Sequence, residues 1–324
     1  MPKTSLKSIG KKITKAKTIL IASHINPDFD AVGSSVGLYL ILKKLGKKVS
    51  IASSFEGYSW NFFKGLVTDQ QFQNYDLAIL LDYGQFYRLD KKALKILKDK
   101  NIFLITIDHH FLQTQKGNLL LIDTLKTSTS EMIYDLAKAI NWQITKEASL
   151  ALLTGIYYDT GGFVYERVTK DLFKKVGDLL KEPAMLSKIK SFESNWQNLN
   201  ELKLFAKYLG LAKIDEKFSL AYCIIKEEPQ GANEKLLSFM HSKLSDSLLE
   251  IKDIQISLVL RRLDPKKWKG SLRGASYLNK VDLNKIASYF NGGGHFNASG
   301  FESDLKSATI IKKIKKLIKE NQSL

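Results

Sequence analysis

The chain has 324 residues, is 44% hydrophobic and contains a single cysteine, so its composition excludes wholesale disorder and a disulfide framework. No apolar run is long enough to span a bilayer, and we expect a soluble, cytoplasmic protein without a membrane partner. The 50 Lys and Arg residues exceed the 33 Asp and Glu residues and give a formal net charge of +17, which is equally consistent with a phosphate-rich partner and with a merely basic surface.

Four short apolar runs in the first half of the chain predict the strands of a parallel sheet. They cover residues 18–23, 48–53, 77–82 and 102–107. Helix-compatible stretches separate most of them, and this alternation is typical of βαβ units whose strands are buried on both faces. Ligands bind at the carboxyl ends of such strands, and there the sequence places His24, Asp82 and Asp108.

The second half of the chain predicts further helices and a smaller set of strands. Helices are expected at 130–141, 147–158 and 197–211. Strands are expected at 218–225, 254–261 and 271–276. Apolar residues at 310, 311, 314, 317 and 318 give the C-terminal segment one apolar face, which predicts an amphipathic helix that packs on its own domain.

These elements predict an α/β fold with two domains. A parallel-sheet domain is expected at 1–182, followed by a linker at 183–196, where the pattern loosens after Pro183. A smaller α/β domain is expected at 197–324. Two small domains of this kind should leave a cleft between them, which is a common position for a ligand.

Four of the five histidines stand in polar motifs at strand ends or beside glycines: His24, His109, His110 and His295. The fifth, His241, lies in an ordinary helical context and is expected on the surface. The first motif, at 24–35, places Asp28 and Asp30 in a turn after a strand. A lone Asp in such a turn is usually a helix cap, but a His with two Asp residues favours a metal site.

Two further strand ends carry titratable groups. Asp82 ends an apolar strand, where a carboxylate is costly unless it is paired or bound to metal, and Arg88 can reach it or an incoming phosphate. Asp108, His109 and His110 follow the fourth strand. One imidazole can bind a metal while the other faces the substrate, and the aspartate can orient a ligating ring.

Two glycine-containing motifs complete the set of candidate sites. Asp159 follows an apolar helix and precedes a Thr-Gly-Gly turn, so it is either an ordinary helix-terminal residue or a ligand. The motif NGGGHFNASG at 291–300 allows backbone N–H groups to approach an anion. Arginines on nearby strands favour phosphate binding over an ordinary loop: Arg261, Arg262 and Arg273.

In their order along the chain, these motifs resemble those of the DHH phosphoesterase superfamily, and the GGGH motif resembles its DHHA1 domain. The likeness covers the whole chain, and a size without extra domains is most similar to the nanoRNase/pAp phosphatase (NrnA-type) bifunctional oligoribonucleases. It implies a DHH catalytic, metal-binding domain at 1–182 and a DHHA1 substrate-binding domain at 197–324. Phe296, directly after GGGH, departs from the smaller or basic residues common there, so the substrate preference stays open.

The resemblance also implies roles for individual residues. One divalent ion would be held by His24, Asp28 and Asp82. A second would be held by Asp30, Asp82, His109 and Asp159. His110 would contact the scissile phosphate, with Asp108 behind it. Arg88 is added as a catalytic candidate from its position after Asp82, from which it can reach an incoming phosphate. The rest of the substrate would be bound by Arg262, Arg273, Gly292, Gly293, Gly294 and His295.

Mixed carboxylate and imidazole ligands suit Mn²⁺ better than Mg²⁺, with Co²⁺ as a further alternative. Such ions supply an activated water for attack on the phosphorus of short RNA or of 3'-phosphoadenosine 5'-phosphate (pAp). A cyclic-dinucleotide or linear dinucleotide phosphodiesterase is an alternative enzyme, and a nucleic-acid-binding module is the alternative without catalysis. The sequence leaves the native substrate, the direction of cleavage and a homodimer open.

Overall fold

The structure of the chain is given by a computed structural model. It describes residues 5–53, 55, 58–68, 70–98, 102–110, 116–193, 198–229, 234–275 and 279–322. The chain divides into two units, Met1–Asn195 and Trp196–Leu324. In the ranges described, none of the helices is long and apolar enough to cross a membrane.

The first unit alternates strands and helices along most of its length. Its strands are β1 (Thr18–Ala22), β2 (Lys48–Ala52), β3 (Leu77–Leu81), β4 (Phe103–Asp108) and β5 (Leu119–Ile122). Its helices are α1 (Leu6–Lys15), α2 (Phe29–Lys44), α3 (Tyr58–Phe62), α4 (Lys91–Lys98), α5 (Thr129–Ala139), α6 (Lys146–Asp159), α7 (Lys170–Leu179) and α8 (Met185–Glu193). All four predicted strands are therefore confirmed, and the short edge strand β5 is an addition.

These strands form one parallel sheet in the order β2-β1-β3-β4-β5. Alternate residues of β1 face opposite sides: Ile19 and Ile21 join a core with α2, α5 and α6, whereas Leu20 and Ala22 join a core on the α4 side. Burial on both faces explains why the strands have no polar alternation. Because all strands are parallel, the residues that follow β1, β3 and β4 lie at one edge.

Close packing of α2 on α6 brings further residues to that edge. A Cβ on Gly33 would lie 2.6 Å from a carbonyl oxygen of α6 and 3.0 Å from the nitrogen of Gly155. A Cβ on Gly155 would collide with Oγ of Ser130 and lie 2.6 Å from Oδ1 of Asp30. Only glycine leaves room for this approach, which places the first turn of α2 against α6 and the start of α5.

The predicted linker at 183–196 is mostly helical, so this prediction is wrong over the residues of α8. Met185 is 1% exposed and Ile189 is fully buried in the core of the first unit. Their helical spacing was obscured by Pro183, but a proline is tolerated before a helix as readily as after one. Residues 194–196 lie outside the described residues.

The second unit contains a mixed sheet in the order β10-β11-β9-β8-β7-β6, with β7 and β8 parallel and the other pairs antiparallel. Its strands are β6 (Lys213–Asp215), β7 (Leu220–Ile225), β8 (Ile256–Arg262), β9 (Trp268–Gly274), β10 (Gly293–His295) and β11 (Ala298–Ser303). Its helices are α9 (Leu199–Leu209), α10 (Glu234–Leu249), α11 (Leu283–Ser288) and α12 (Ser307–Gln322). The predicted α/β fold is confirmed for both units.

Two cores flank the second sheet. α12 buries Ile310, Ile314 and Ile318 on one side, which confirms the predicted amphipathic helix. α9 and α10 cover the other side, where Cys223 is fully buried as predicted. His241 of α10 is only 6% exposed, so the prediction of a surface histidine is wrong. The last residue of the predicted strand at 271–276 lies outside the described residues.

Candidate metal centre

The first motif lies in the turn that joins β1 to α2. His24 is 5% exposed, and its Nε2 lies 3.6 Å from Oδ2 of Asp28. Burial lowers the pKa of His24, but Asp28 outweighs this effect and raises it above its ordinary value. Oδ1 of Asp28 caps α2 by accepting the backbone N–H groups of Asp30 and Ala31 (3.1 and 3.0 Å). Asp28 is therefore a helix cap and, through Oδ2, also a candidate ligand.

Asp30 lies in the first turn of α2 and is fully buried. Its carboxylate accepts hydrogen bonds from the N–H groups of Thr129 (2.6 Å) and Ser130 (2.9 Å) at the start of α5. Burial and the charges of Asp82 and Asp159 raise the pKa of Asp30 well above its ordinary value. The raised pKa reflects burial and repulsion between neighbouring carboxylates, and a bound cation would offset that repulsion.

Asp82 follows β3 in a left-handed conformation (φ +49°), which is uncommon for a residue other than glycine. It is 1% exposed. Its Oδ1 accepts a hydrogen bond from the hydroxyl of Thr129 (2.9 Å) and lies 3.5 Å from Nε2 of His109. Within the described part of the chain no ion pair joins Asp82 to Arg88, so the simple Asp–Arg pair is not formed.

Asp108 ends β4, and neighbours use both of its oxygens. Oδ2 accepts the N–H groups of Tyr83 (2.8 Å) and Gly84 (3.0 Å), and Oδ1 accepts both the N–H and the Nδ1 hydrogen of His110 (2.8 Å each). Burial raises the pKa of Asp108, but His110 outweighs this effect and lowers it. Asp108 therefore fixes the imidazole of His110 and the turn after β3.

Arg88 lies at the edge of this cluster. It ends a short 3₁₀ helix, and its carbonyl oxygen accepts the N–H of Ile25 (2.6 Å). Its Nη1 lies 3.3 Å from the point that a Cβ on Gly84 would occupy, and Cγ of His110 lies 4.0 Å from that point. The exposed guanidinium is therefore close to the imidazole that Asp108 orients.

His109 is surrounded by carboxylates. Its Nε2 lies 3.2 Å from Asp159, 3.5 Å from Asp82 and 3.9 Å from Asp30. Burial lowers the pKa of His109, but the carboxylates, Asp159 foremost, raise it to about 9. Both ring nitrogens are buried, and neither makes a hydrogen bond of good geometry. A buried imidazole in this situation is typical of a metal ligand.

Asp159 is the last residue of α6, and Gly161 and Gly162 continue the chain in left-handed conformations (φ +58° and +73°). Burial raises the pKa of Asp159 to about 6 against the opposing effect of His109. A helix C-terminus carries partial negative charge, so a carboxylate there is unfavourable unless a cation is near. The position of Asp159 thus also fits a metal ligand.

Three sets of ligand atoms each lie within 4.8 Å of one another. They are His24, Asp28 and Asp82; Asp30, His109 and Asp159; and Asp82, His109 and His110. Asp82 belongs to the set with His24 and Asp28 and to the set with His109 and His110, and His109 also belongs to the set with Asp30 and Asp159. Carboxylate oxygens combined with imidazole nitrogens are the donor set of a divalent transition-metal ion. The residues at the carboxyl edge of the first sheet can therefore hold metal.

The glycine motif of the second unit forms β10 and its hairpin with β11. Gly294 donates its N–H to Oδ1 of Asn284 (2.9 Å), and Gly292 donates its N–H to the carbonyl oxygen of Ala287 (2.9 Å). A Cβ on Gly292 would lie 2.6 Å from Cβ of Phe301. Two of the three N–H groups predicted to cradle an anion are thus bonded within the protein, and anion binding by this motif stays a prediction.

The arginines predicted beside this motif are separated from one another. Arg273 pairs with Ala298, which pairs with His295, so Arg273 and His295 occupy one transverse row of the sheet. Arg262 pairs with Trp268, which is about 17 Å from Arg273 along β9. Arg261 is 5% exposed and forms an ion pair with a glutamate. The three arginines are therefore not neighbours, and the assignment of Arg262 and Arg273 to substrate binding stays a prediction.

Two residues that contact the metal centre are missing from the sequence prediction. Thr129 and Ser130 both bond Asp30, and Thr129 also bonds Asp82. The available signal was the run TSTSE at 127–131, whose S-x-x-E spacing marks a helix N-terminus. Because β5 was not predicted, nothing indicated that this helix begins beside the other strand ends.

Comparison with known proteins agrees with this architecture. The model of the DHH family, N-terminal domain, matches residues 18–156, and the DHHA1 domain model matches residues 218–320. The probable bifunctional oligoribonuclease and PAP phosphatase NrnA of Streptococcus mutans is 28% identical, with 98% of this chain and 100% of that protein covered. The bifunctional oligoribonuclease and PAP phosphatase NrnA of Bacillus subtilis is 28% identical, with 90% of each covered.

A solved structure extends the likeness to three dimensions. An exopolyphosphatase-related protein from Bacteroides fragilis matches with a TM-score of 0.82 and 25% identity, and the match covers 98% of this chain and 96% of that one. Each family model matches one unit, and the two relatives and this structure each cover at least 90% of the chain. The chain therefore contains an N-terminal domain of the DHH family followed by a DHHA1 domain.

Proposed function

We propose that the chain is a metal-dependent phosphoesterase that hydrolyses short oligoribonucleotides to mononucleotides and pAp to AMP. The observation that carries this proposal is a pair of neighbouring ligand sets, His24, Asp28 and Asp82 on one side and Asp30, His109 and Asp159 on the other. Asp82 links them, because its Oδ1 lies 3.5 Å from Nε2 of His109. The names of the NrnA relatives supply the substrate class. A nucleic-acid-binding module without catalysis has no need for such a cluster of buried carboxylates.

We assign two divalent ions to these sets, with Asp82 shared, and Mn²⁺ is the ion that the mixed ligands suit best. When bound, the ions would polarise phosphoryl oxygens and supply a nucleophile at neutral pH. Support for this assignment comes from the buried ring nitrogens of His109 and from Asp159 at a helix C-terminus. Mg²⁺ and Co²⁺ are the alternatives to be compared in activity assays.

Around this centre, His110 and Arg88 would bind the scissile phosphate. Asp108 accepts the Nδ1 hydrogen of His110 and so fixes the ring, which leaves Nε2 as the nitrogen that would meet a phosphate oxygen. The nearby guanidinium of Arg88 would add a second charged donor. In this way the protein would stabilise the charge that develops on the phosphate without using a metal ligand for that purpose.

The second unit would bind the rest of the substrate. Arg273 and His295 share one row of its sheet, so they are our candidates for the contact with a second phosphate or a base. Gly293 belongs to the same hairpin. A Cβ placed on Gly293 would have no neighbour closer than 3.6 Å, so the space beside this glycine is not filled by the protein. We retain the domain assignment of the sequence, catalytic for the first unit and substrate-binding for the second, with the boundary after α8.

The test is an assay of the purified full chain with Mn²⁺ against pAp, a diribonucleotide, a cyclic dinucleotide and pyrophosphate. We expect hydrolysis of the first two, and none after chelation of the metal or in Asp82→Asn. Asp178→Asn, which changes a half-exposed carboxylate away from the cluster, is the matched control and should retain activity. Hydrolysis of the cyclic dinucleotide alone, or binding of RNA without hydrolysis, would contradict the proposal.

A further inference from the structure

Thr129 contacts the candidate metal centre in two ways at once. Its backbone N–H donates to Oδ2 of Asp30 (2.6 Å), and its hydroxyl donates to Oδ1 of Asp82 (2.9 Å). These two carboxylates come from different elements, one from the start of α2 and one from the end of β3. A single fully buried residue therefore connects the two ligand sets.

The segment that holds Thr129 is itself fixed from several directions. The carboxylate of Glu131 accepts the N–H and the hydroxyl hydrogen of Thr127 (2.9 Å each), and Lys175 of α7 pairs with the same carboxylate (2.7 Å). Ser128 caps α5 by accepting the N–H of Glu131 (3.0 Å). The hydroxyl of Thr129 thus projects from a rigid helix start and has little freedom to follow Asp82 if that carboxylate turns.

Asp82 needs such a restraint for two reasons. One of its oxygens lies within 4.8 Å of an oxygen of Asp28. In addition, His109 is a common neighbour of Asp82, Asp30 and Asp159, with Nε2 3.5, 3.9 and 3.2 Å from them. Mutual repulsion would turn these carboxylates away from one another in the absence of fixed donors. The hydroxyl of Thr129 is a neutral donor, so it holds Oδ1 in place without competing as a cation for the ligand position.

We infer that Thr129 is a positioning residue that fixes Asp82 in the orientation required for both ions. The inference rests on the proposed metal-dependent function, because it concerns the same cluster. The backbone bond to Asp30 survives any substitution of the side chain, whereas the bond to Asp82 depends on the hydroxyl. The side chain should therefore act through Asp82, and the methyl group should contribute packing only.

This inference is tested by calorimetric titration of Mn²⁺ into the metal-free full chain, with wild type, Thr129→Val and Thr129→Ser compared. Valine keeps the shape and removes the hydroxyl; serine keeps the hydroxyl and removes the methyl group. A hydrogen bond to a charged group typically changes an equilibrium by about tenfold to a hundredfold. We expect T129V to weaken Mn²⁺ binding by that factor at both sites and T129S to remain close to wild type.

The matched control is Thr154→Val. Thr154 is also fully buried, but its hydroxyl donates to the carbonyl oxygen of Leu150 in its own helix (2.7 Å) and not to a carboxylate. T154V should lower the melting temperature of the metal-free chain about as much as T129V while leaving Mn²⁺ affinity unchanged. If T129V does not fold, Thr129→Ala gives the same comparison with a smaller side chain.

The outcomes separate the two proposals. T129V that binds Mn²⁺ like wild type, or T129S that is as weak as T129V, would overturn the role of the hydroxyl. Wild type that binds no Mn²⁺ would overturn the metal assignment and this inference with it. Wild type that binds Mn²⁺ but hydrolyses neither pAp nor a diribonucleotide would overturn the proposed function and leave the inference about Thr129 standing.

Discussion

The first unit gathers the carboxylates and imidazoles of its sequence motifs in one cluster, whereas the second unit distributes the arginines predicted to bind substrate over a sheet. Asp30, Asp82 and Asp108 are all at most 1% exposed and lie within one cluster. On the second sheet, Arg262 and Arg273 stand about 17 Å apart along the strand direction. Buried like charges must be matched by hydrogen bonds or cations, so the first unit has little tolerance for change. The second unit should show graded effects.

The largest expected effect is that of Asp82→Ala. Since Asp82 shares one ligand set with His24 and Asp28 and lies 3.5 Å from Nε2 of His109 in the other, its loss should abolish both activity and the binding of both ions. Metal analysis and an activity assay on the same preparation check this prediction. Retention of two ions with normal turnover would show that the cluster is not the active centre, and the contrast between the units would disappear.

Substitutions of the two adjacent histidines, His109 and His110, should affect different properties, metal binding in the first case and turnover in the second. His109→Ala is expected to lose metal because Nε2 of His109 faces three carboxylates. His110→Ala should keep its metal and lose about a hundredfold or more in kcat, because Asp108 holds this ring for a phosphate contact. Metal content measured on both variants decides the matter, and the opposite pattern would exchange the two roles.

In the second unit, Arg273→Ala should raise KM for a diribonucleotide about tenfold and leave metal content unchanged. Arg262→Ala is the control, because its guanidinium already donates to carbonyl oxygens of the β8–β9 turn (3.2 and 2.9 Å) and lies far from the row of His295. Steady-state kinetics at fixed salt compare the two variants. Equal effects of both substitutions would indicate a diffuse basic surface in place of a site.

The smallest expected effect on activity is that of Glu131, which supports the start of α5 and belongs to none of the three ligand sets. Burial raises the pKa of Glu131, but Lys175, Thr127 and Lys126 outweigh it and lower the pKa to about 2. The unfolded-state pKa is higher, so this stabilisation is present above about pH 4.5 and is lost as the pH falls towards 2. Glu131→Gln should flatten the acid side of the unfolding free energy against pH, as measured with denaturant. An unchanged acid limb would show that this carboxylate is not responsible.

Sequence patterns predicted the first unit better than the second for a physical reason. A titratable residue at the end of an apolar strand, such as Asp82 or Asp108, has few alternatives to a site, and parallel strands bring such ends together. Glycines have two uses that the sequence cannot separate. Gly292 serves close packing against Phe301, and only the structure distinguishes this use from anion binding.

The other errors of the sequence prediction have a second cause. The surroundings of these residues depend on parts of the chain that are distant in sequence. Thr129 reaches Asp82 only because α5 begins beside the strand ends. His241 of α10 and Arg261 of β8 are both paired with Glu228, a contact that depends on how α10 packs on β8. In the same way, α8 was hidden by Pro183 because its helical character depends on burial of Met185 and Ile189 in the first core.

The metal assignment is tested most directly by anomalous scattering from crystals of the full chain soaked in Mn²⁺. We predict two peaks, one among His24, Asp28 and Asp82 and the other among Asp30, Asp82, His109 and Asp159. Asp82 should contact both. The absence of a peak at these residues, or peaks only at other positions on the chain, would contradict the assignment.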